Sequence, residues 1–452
     1  MRKLLVLSII TIAILTLINA CRRPFDPFEA NNSGHADFTK FVAIGGDYMA
    51  GYMDGALYAA GQENSVGNLL ATQFIKYAKL DAFRQPTDSL QHGFGFNLGG
   101  SKPDFWTEFH LGNKTDCQNV TSLFPLNDSL FVNSSPAMQG NLAHILGFFQ
   151  NESVPGARVT DYLDPSFSTN YYFFGRSPYF QRFAHIQGNS TMIGDALAQS
   201  PTFFALWPGM EDVYNYALRG GKNQTITDYA AFDAALDKAL DTLTHFGAKG
   251  ILANIPDISC YPFFTLIDPM GVVLNDSLAT LLNSLSQNYY NYQVGANGFL
   301  ISDSTQSPHP NRLMHTGEYV LLSVPTDSLK CNYLGVFDTI PGQYILDHFE
   351  IDNIKNAISH FNSKIASLGA KYNLPIVDMN SFFNRVKTGY MFNGIDFTSS
   401  FIEGGFFSLD GFHPNGRGYG LIANEFIRSI NSFYKATIPE INISDLPGII
   451  FP

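Results

Sequence analysis

Lys40-Phe41-Val42-Ala43-Ile44-Gly45-Gly46-Asp47-Tyr48-Met49-Ala50-Gly51-Tyr52 is the stretch on which the reading of this 452-residue chain turns. Phe41 to Ile44 are apolar without alternation, the pattern of a strand buried on both faces rather than one. Gly45 and Gly46 then supply the freedom that a tight turn needs. In an open parallel sheet, ligands bind beyond the carboxyl ends of the strands. The glycine-rich end of this strand, with Asp47 behind it, is therefore the first place to look for a site.

Working outward, strand-like and helix-like segments alternate. Asn64 to Leu80 carries apolar residues at helical spacing, and Pro201 to Trp207 reads as a second buried strand. Tyr229 to Phe246 is an amphipathic helix stopped by Gly247, with a strand at Gly250 to Ile255 behind it. The pair recurs as a helix at Ile354 to Leu368 and a strand at Pro375 to Met379, and Gly418 to Phe433 reads as a final helix. Strands alternating with helices imply an α/β fold with a largely parallel sheet covered on both faces. Residues 81–150 and 260–345 break the alternation; rich in Asn, Ser, Pro and aromatics, they read as two insertions near the site.

The N-terminus sets the expected compartment. Arg2 and Lys3 precede an uncharged apolar run, Leu4 to Ile18, which is short for a membrane span and has the order of a secretory signal. Ile18-Asn19-Ala20-Cys21 resembles a bacterial lipobox, which implies residues 1–20 as a signal peptide and Cys21 as the lipidated N-terminus. Residues 21–37 read as a tether, and 38–452 as a single domain. The expected location is exported, lipid-anchored to a bacterial membrane at its periplasmic face or at the cell surface. A net charge of −12 argues against nucleic acid as a partner. The remaining cysteines, Cys117, Cys260 and Cys331, permit at most one disulfide and have no metal-ligand spacing; no cofactor is expected.

The segment from Phe41 to Tyr58 resembles the first block of the SGNH (GDSL-type) ester hydrolases, particularly a Bacteroidetes-type lipoprotein branch, and the match puts Asp47 where the nucleophilic serine belongs. A rival register puts Tyr48 there but spoils the spacing to Gly51 and Tyr52. Val154-Pro-Gly-Ala-Arg-Val159 looks like the second block, whose glycine (Gly156) lends an oxyanion N–H. Gly209-Met-Glu-Asp212 falls where the third block has its oxyanion asparagine, here Glu211. Ser408-Leu-Asp-Gly-Phe-His-Pro414 looks like the fifth block, with Asp410 as acid and His413 as base. The resemblance implies a three-layer, flavodoxin-like fold, an esterase-type hydrolase, and a small-molecule or glycan ester as ligand.

A serine esterase needs a hydroxyl nucleophile, a histidine to take its proton, an acid to orient that histidine, and N–H donors aimed at the oxyanion. Asp410 and His413 supply the middle two. Asp47 replaces the hydroxyl, and Glu211 replaces a donor with a group that repels developing negative charge. Two carboxylates about 4 Å apart repel by about 4 kcal/mol at an effective dielectric near 20, so a protonated His413, a shared proton or a cation should offset them. Three readings follow. In the first, the serine chemistry is impaired and the pocket binds ligand, with Asp47 capping the helix after the first strand and pairing with His413. In the second, Asp47 is itself the nucleophile, His413 activates water, and a protonated Glu211 serves the leaving group. In the third, Asp47, Glu211 and His413 hold a divalent metal, although no metal-site spacing motif supports it.

Overall fold

The computed structural model describes residues 32–87, 93–96, 105–127, 129–130, 146–169, 177–303 and 310–452. Residues 1–31, which include the expected signal peptide and Cys21, lie outside the described residues. Four strands form the central sheet: β1 (Phe41–Gly45), β2 (Phe203–Trp207), β3 (Lys249–Ala253) and β4 (Ile376–Val377), in that spatial order and all parallel. β1 and β2 run in register from Phe41 opposite Phe203 to Gly45 opposite Trp207. Every residue of both strands is buried, as their unalternating apolar sequences require. Residues 150–154 run along the outer edge of β1: Ala43 N–H donates to the Gln150 carbonyl, Glu152 N–H to that of Ala43 and Val154 N–H to that of Gly45, each at 2.9 Å.

Two helix pairs cover the sheet. Helices α2 (Val66–Tyr77) and α7 (Gly416–Tyr434) pack together, α2 against β1 and α7 against β4; α4 (Tyr229–Thr244) and α5 (His348–Tyr372) pack together, α5 against β3. The short α1 (Asp47–Ala50) precedes them in sequence, and α3 (Met210–Ala217) and α6 (Met379–Thr388) lie between them. Side-chain caps define the starts: Ser65 accepts from Asn68 N–H, Asp228 from Ala231 N–H and Asn415 from Gly418 N–H. The α/β expectation holds, with two differences in extent: β4 keeps only two residues of the strand expected at Pro375 to Met379, and α5 is longer than expected. Helix α5 begins at His348, not Ile354, because Asp347 and Glu350 form a reciprocal capping box that satisfies the first turn. Much of the aromatic content is core; Phe38, for instance, stacks on Phe74 at 4.4 Å between ring centres.

The described parts of the two insertions meet over the carboxyl ends of the strands. In the first, His110–Thr115 and Thr121–Leu126 form an antiparallel hairpin. The second has a small core of its own, including Val272, Leu282, Ile301, Met314 and Ile340, and a helix at Thr326–Cys331. A Cys117–Cys331 disulfide joins them, flanked by the ion pairs Lys114–Asp327 at 3.0 Å and Lys330–Asp116 at 2.9 Å. Cys260 is a buried free thiol. Residues 33–452 form one compact unit. Among the described residues, no helix is long and apolar enough to cross a membrane.

Candidate active site

Four chain segments deliver the candidate residues to one end of the sheet. The turn after β1 makes Asp47 the first residue of α1, and Gly46 occupies the cap position. The residues after the edge segment place Gly156, in a left-handed conformation (φ 79°), beside it. After β2, Gly209 turns the chain with φ 92° and α3 starts, with Glu211 in its first turn. The loop before α7 contributes Asp410 and His413.

These groups are linked end to end. Asp410 Oδ1 accepts the backbone N–H of Phe412 at 2.9 Å and of His413 at 2.8 Å, while its Oδ2 accepts Gly55 N–H at 2.7 Å. His413 Nδ1 is 2.8 Å from Asp410 Oδ2, and His413 Nε2 is 3.0 Å from Asp47 Oδ2. Gly156 N–H donates to Asp47 Oδ1 at 2.7 Å. Asp47 N–H in turn donates to Glu211 Oε1 at 2.8 Å. Contrary to the expectation from sequence, the side chain of Asp47 does not cap the helix; α1 has no side-chain cap bond. The imidazole and the Gly156 amide draw that carboxylate away from the helix start. Tyr48, the residue of the rival register, is buried with its hydroxyl donating to the Phe412 carbonyl at 2.7 Å.

The electrostatics follow from this chain of contacts. Burial disfavours a charged His413, but the Asp410 charge and hydrogen bonds to Asp410 and Asp47 outweigh it and push the imidazole up to about 10. Burial also works against an ionised Asp410, yet the His413 cation and the bonds from His413 hold it below its ordinary value. Glu211 goes the other way: burial, then the neighbouring Asp47 charge, raise it well above the carboxylate range. At neutral pH the Asp410–His413 pair is therefore carboxylate and imidazolium, and Glu211 is held toward its protonated form. Aromatic rings enclose the imidazolium, with Tyr52 and Phe412 each at 4.9 Å between centres.

A cavity of about 990 Å³ opens above Asp47, Gly156, Asp410 and His413. Its walls include Phe96, Trp106, Phe109 and Phe263, and its roof includes Phe124 and Val324 from the disulfide-joined insertions. Glu211 is not among the residues lining it; it lines a small side cavity with Tyr48, Met210 and Tyr214. Asp47, Glu211 and His413 bond to each other and to backbone amides rather than converging on a common point. Among the described residues, no group of three or more His, Cys, Asp or Glu side chains could hold a metal ion.

Two contributors were not singled out from sequence. Asp54 ties the Asp410 loop down: its carboxylate accepts Leu409 N–H at 2.9 Å and the Tyr58 hydroxyl at 2.6 Å, and its N–H donates to Ser408 Oγ at 3.0 Å. Burial pushes that carboxyl up to about 6. Arg219, just past α3, lines the large cavity. Counting four and eight residues on from Glu211 along one helical face reaches Asn215 and Arg219, a signal that the sequence contained.

A family model described as GDSL-like Lipase/Acylhydrolase matches residues 42–426. No curated protein sequence matches the chain. Among solved structures, the chain is similar to an alpha/beta hydrolase enzyme from the metagenome of Lake Arreo, Spain, with 10% identity, a TM-score of 0.38, and coverage of 88% of this chain and 97% of that one. A variant of Axe2, an acetyl xylan esterase from Geobacillus stearothermophilus, has 11% identity and a TM-score of 0.34, with 87% and 95% covered. The lipase/acylhydrolase from Enterococcus faecalis has 14% identity and a TM-score of 0.25, with 69% and 88% covered.

Proposed function

The chain belongs to the GDSL-like lipase/acylhydrolase family, and from that premise we propose that it has lost serine-esterase chemistry and keeps its pocket to bind a small molecule. One observation carries this reading: the Gly156 N–H, the backbone donor expected to receive an oxyanion, already serves one of the protein's own carboxylates, and so does the neighbouring Asp47 N–H. Gly156 N–H is on Asp47 Oδ1, and Asp47 N–H is on Glu211 Oε1. An ester carbonyl entering the site has neither donor, and losing even one typically costs about a hundred- to a thousand-fold in rate. The two faces of the Asp47 carboxylate, one on Gly156 and one on His413, occupy the places of oxyanion and nucleophile together.

The same arrangement disfavours Asp47 as a nucleophile. That route needs a neutral His413 to activate water, whereas two carboxylates hold the ring as a cation. It also needs a proton donor at the leaving group, and Glu211 sits off the large cavity. In this proposal the protein is a lipoprotein of the Bacteroidetes-type branch, exported and anchored through Cys21.

The test restores the family pattern with Asp47→Ser plus Glu211→Asn, and p-nitrophenyl acetate as substrate. The wild-type chain should turn over no faster than His413→Ala, and the double variant should gain at least about a hundredfold. Wild-type turnover that disappears with His413→Ala would overturn the proposal.

A further inference from the structure

We propose that the 110–126 hairpin is a strap over the large cavity, and that the Cys117–Cys331 disulfide is its clasp, opened by a dithiol reductant and closed again by exchange with a disulfide. The inference concerns entry to the cavity and stands apart from the chemistry of the centre. Cys117 lies in the turn that joins the two strands of the hairpin, between Thr115 and Thr121. Lys114, Leu123, Phe124 and Pro125 of the hairpin line the cavity. From the second insertion so do Val324, Pro325 and Thr326, and Thr326 is the first residue of the helix that ends at Cys331. The disulfide therefore joins the two sides of the roof.

Little else holds these parts together. Leu111, near the base of the hairpin, is its one buried residue, and the helix Thr326–Cys331 buries none. Among the described residues, the other bonds that join the hairpin to the second insertion are the ion pairs Lys114–Asp327 and Lys330–Asp116. Both are partly exposed, and such pairs contribute little. A two-stranded hairpin without a packed face is marginal in water, so an unclasped tip leaves the roof. Cys117 is exposed and Cys331 half-exposed, which opens the bond to attack, whereas the Cys260 thiol is buried. A dithiol supplies the two electrons. One of its thiolates attacks a cystine sulfur, forms a mixed disulfide and releases the other cysteine as a thiol. Its second thiol then displaces the remaining cysteine, leaving two protein thiols and the oxidised, cyclic disulfide.

The chain has two tryptophans: Trp106 lines the cavity and Trp207 lies in the core. Acrylamide quenching of tryptophan fluorescence, compared between the wild-type chain and Trp106→Phe, therefore reads access to the cavity. Dithiothreitol should reduce the bond in the folded chain, seen as iodoacetamide labelling of Cys117 and Cys331. It should raise the quenching constant of Trp106 by about twofold or more, as local opening does, and leave that of Trp207 unchanged. Oxidised glutathione should restore the starting value. Unchanged Trp106 quenching in the reduced chain overturns the inference, because packing then holds the roof. A bond that resists the dithiol in the folded chain overturns it too. So does quenching of Trp207 along with Trp106, because the disulfide then staples the whole fold rather than gating the cavity. Should Trp106→Phe fail to fold, amide exchange of the wild-type chain decides: faster exchange on reduction must be confined to the roof and spare the central sheet.

Discussion

Gly46 shows how tightly the carboxylate pair is fitted. A Cβ there would lie 1.6 Å from Glu211 Oε1, so Glu211 occupies space that only a glycine leaves open. Gly46→Ala should destabilise the folded chain by about 1–3 kcal/mol, as overpacking does. In a Glu211→Ala background that cost should shrink, and a double-mutant cycle by denaturant unfolding measures the coupling; additive effects would contradict the packing described here. At this scale the sequence was informative wherever a residue sits in a short spaced motif. Asp410 and His413 lie three apart in a Gly/Pro-rich loop, and Asp47 follows a glycine pair. What could not be read was the destination of the Asp47 side chain. Helix capping is a local option visible in sequence, whereas the competing partners, Gly156 and His413, are 109 and 366 residues away.

Among elements, the strands and helices of the core were legible because their apolar periodicities differ, although β4 shrinks to two residues. The early start of α5 was also present in sequence as Asp347-His-Phe-Glu350, a capping box that periodicity alone passes over. The roof was not legible. Three thiols do not specify a pairing, and the observed bridge spans 214 residues. The ion pairs beside it are partly exposed and contribute little, so the covalent link dominates. Replacing Cys117 and Cys331 by serine should lower stability by about 2–4 kcal/mol, read from urea unfolding. It should also free the hairpin, seen as faster amide exchange across residues 110–126. Unchanged exchange there would mean that packing, not the disulfide, holds the roof.

For the molecule as a whole, the proposed anchor at Cys21 falls outside the described residues, and it is tested by location. The full chain expressed in a bacterial host should partition into detergent, and Cys21→Ser should move it to the aqueous phase; detergent partitioning independent of Cys21 would contradict the proposed anchor. The charge state of the centre reaches the whole molecule through linkage. His413 is raised in the folded state, so its stabilising contribution is fully present below about 6.5 and lost as pH climbs through about 10. Glu211, also raised, contributes fully below its ordinary value of 4.5 and loses that contribution as pH rises through its raised value. Asp410, held low, contributes above its ordinary value of 3.8 and loses that contribution as pH falls through its lowered value. The centre is closed because an imidazolium is clasped between two carboxylates, and nitrogen-15 NMR of His413, assigned with His413→Gln, reads that directly. Both ring nitrogens should stay protonated through pH 8 and titrate near 10; a ring that titrates near 6.5 would contradict the account.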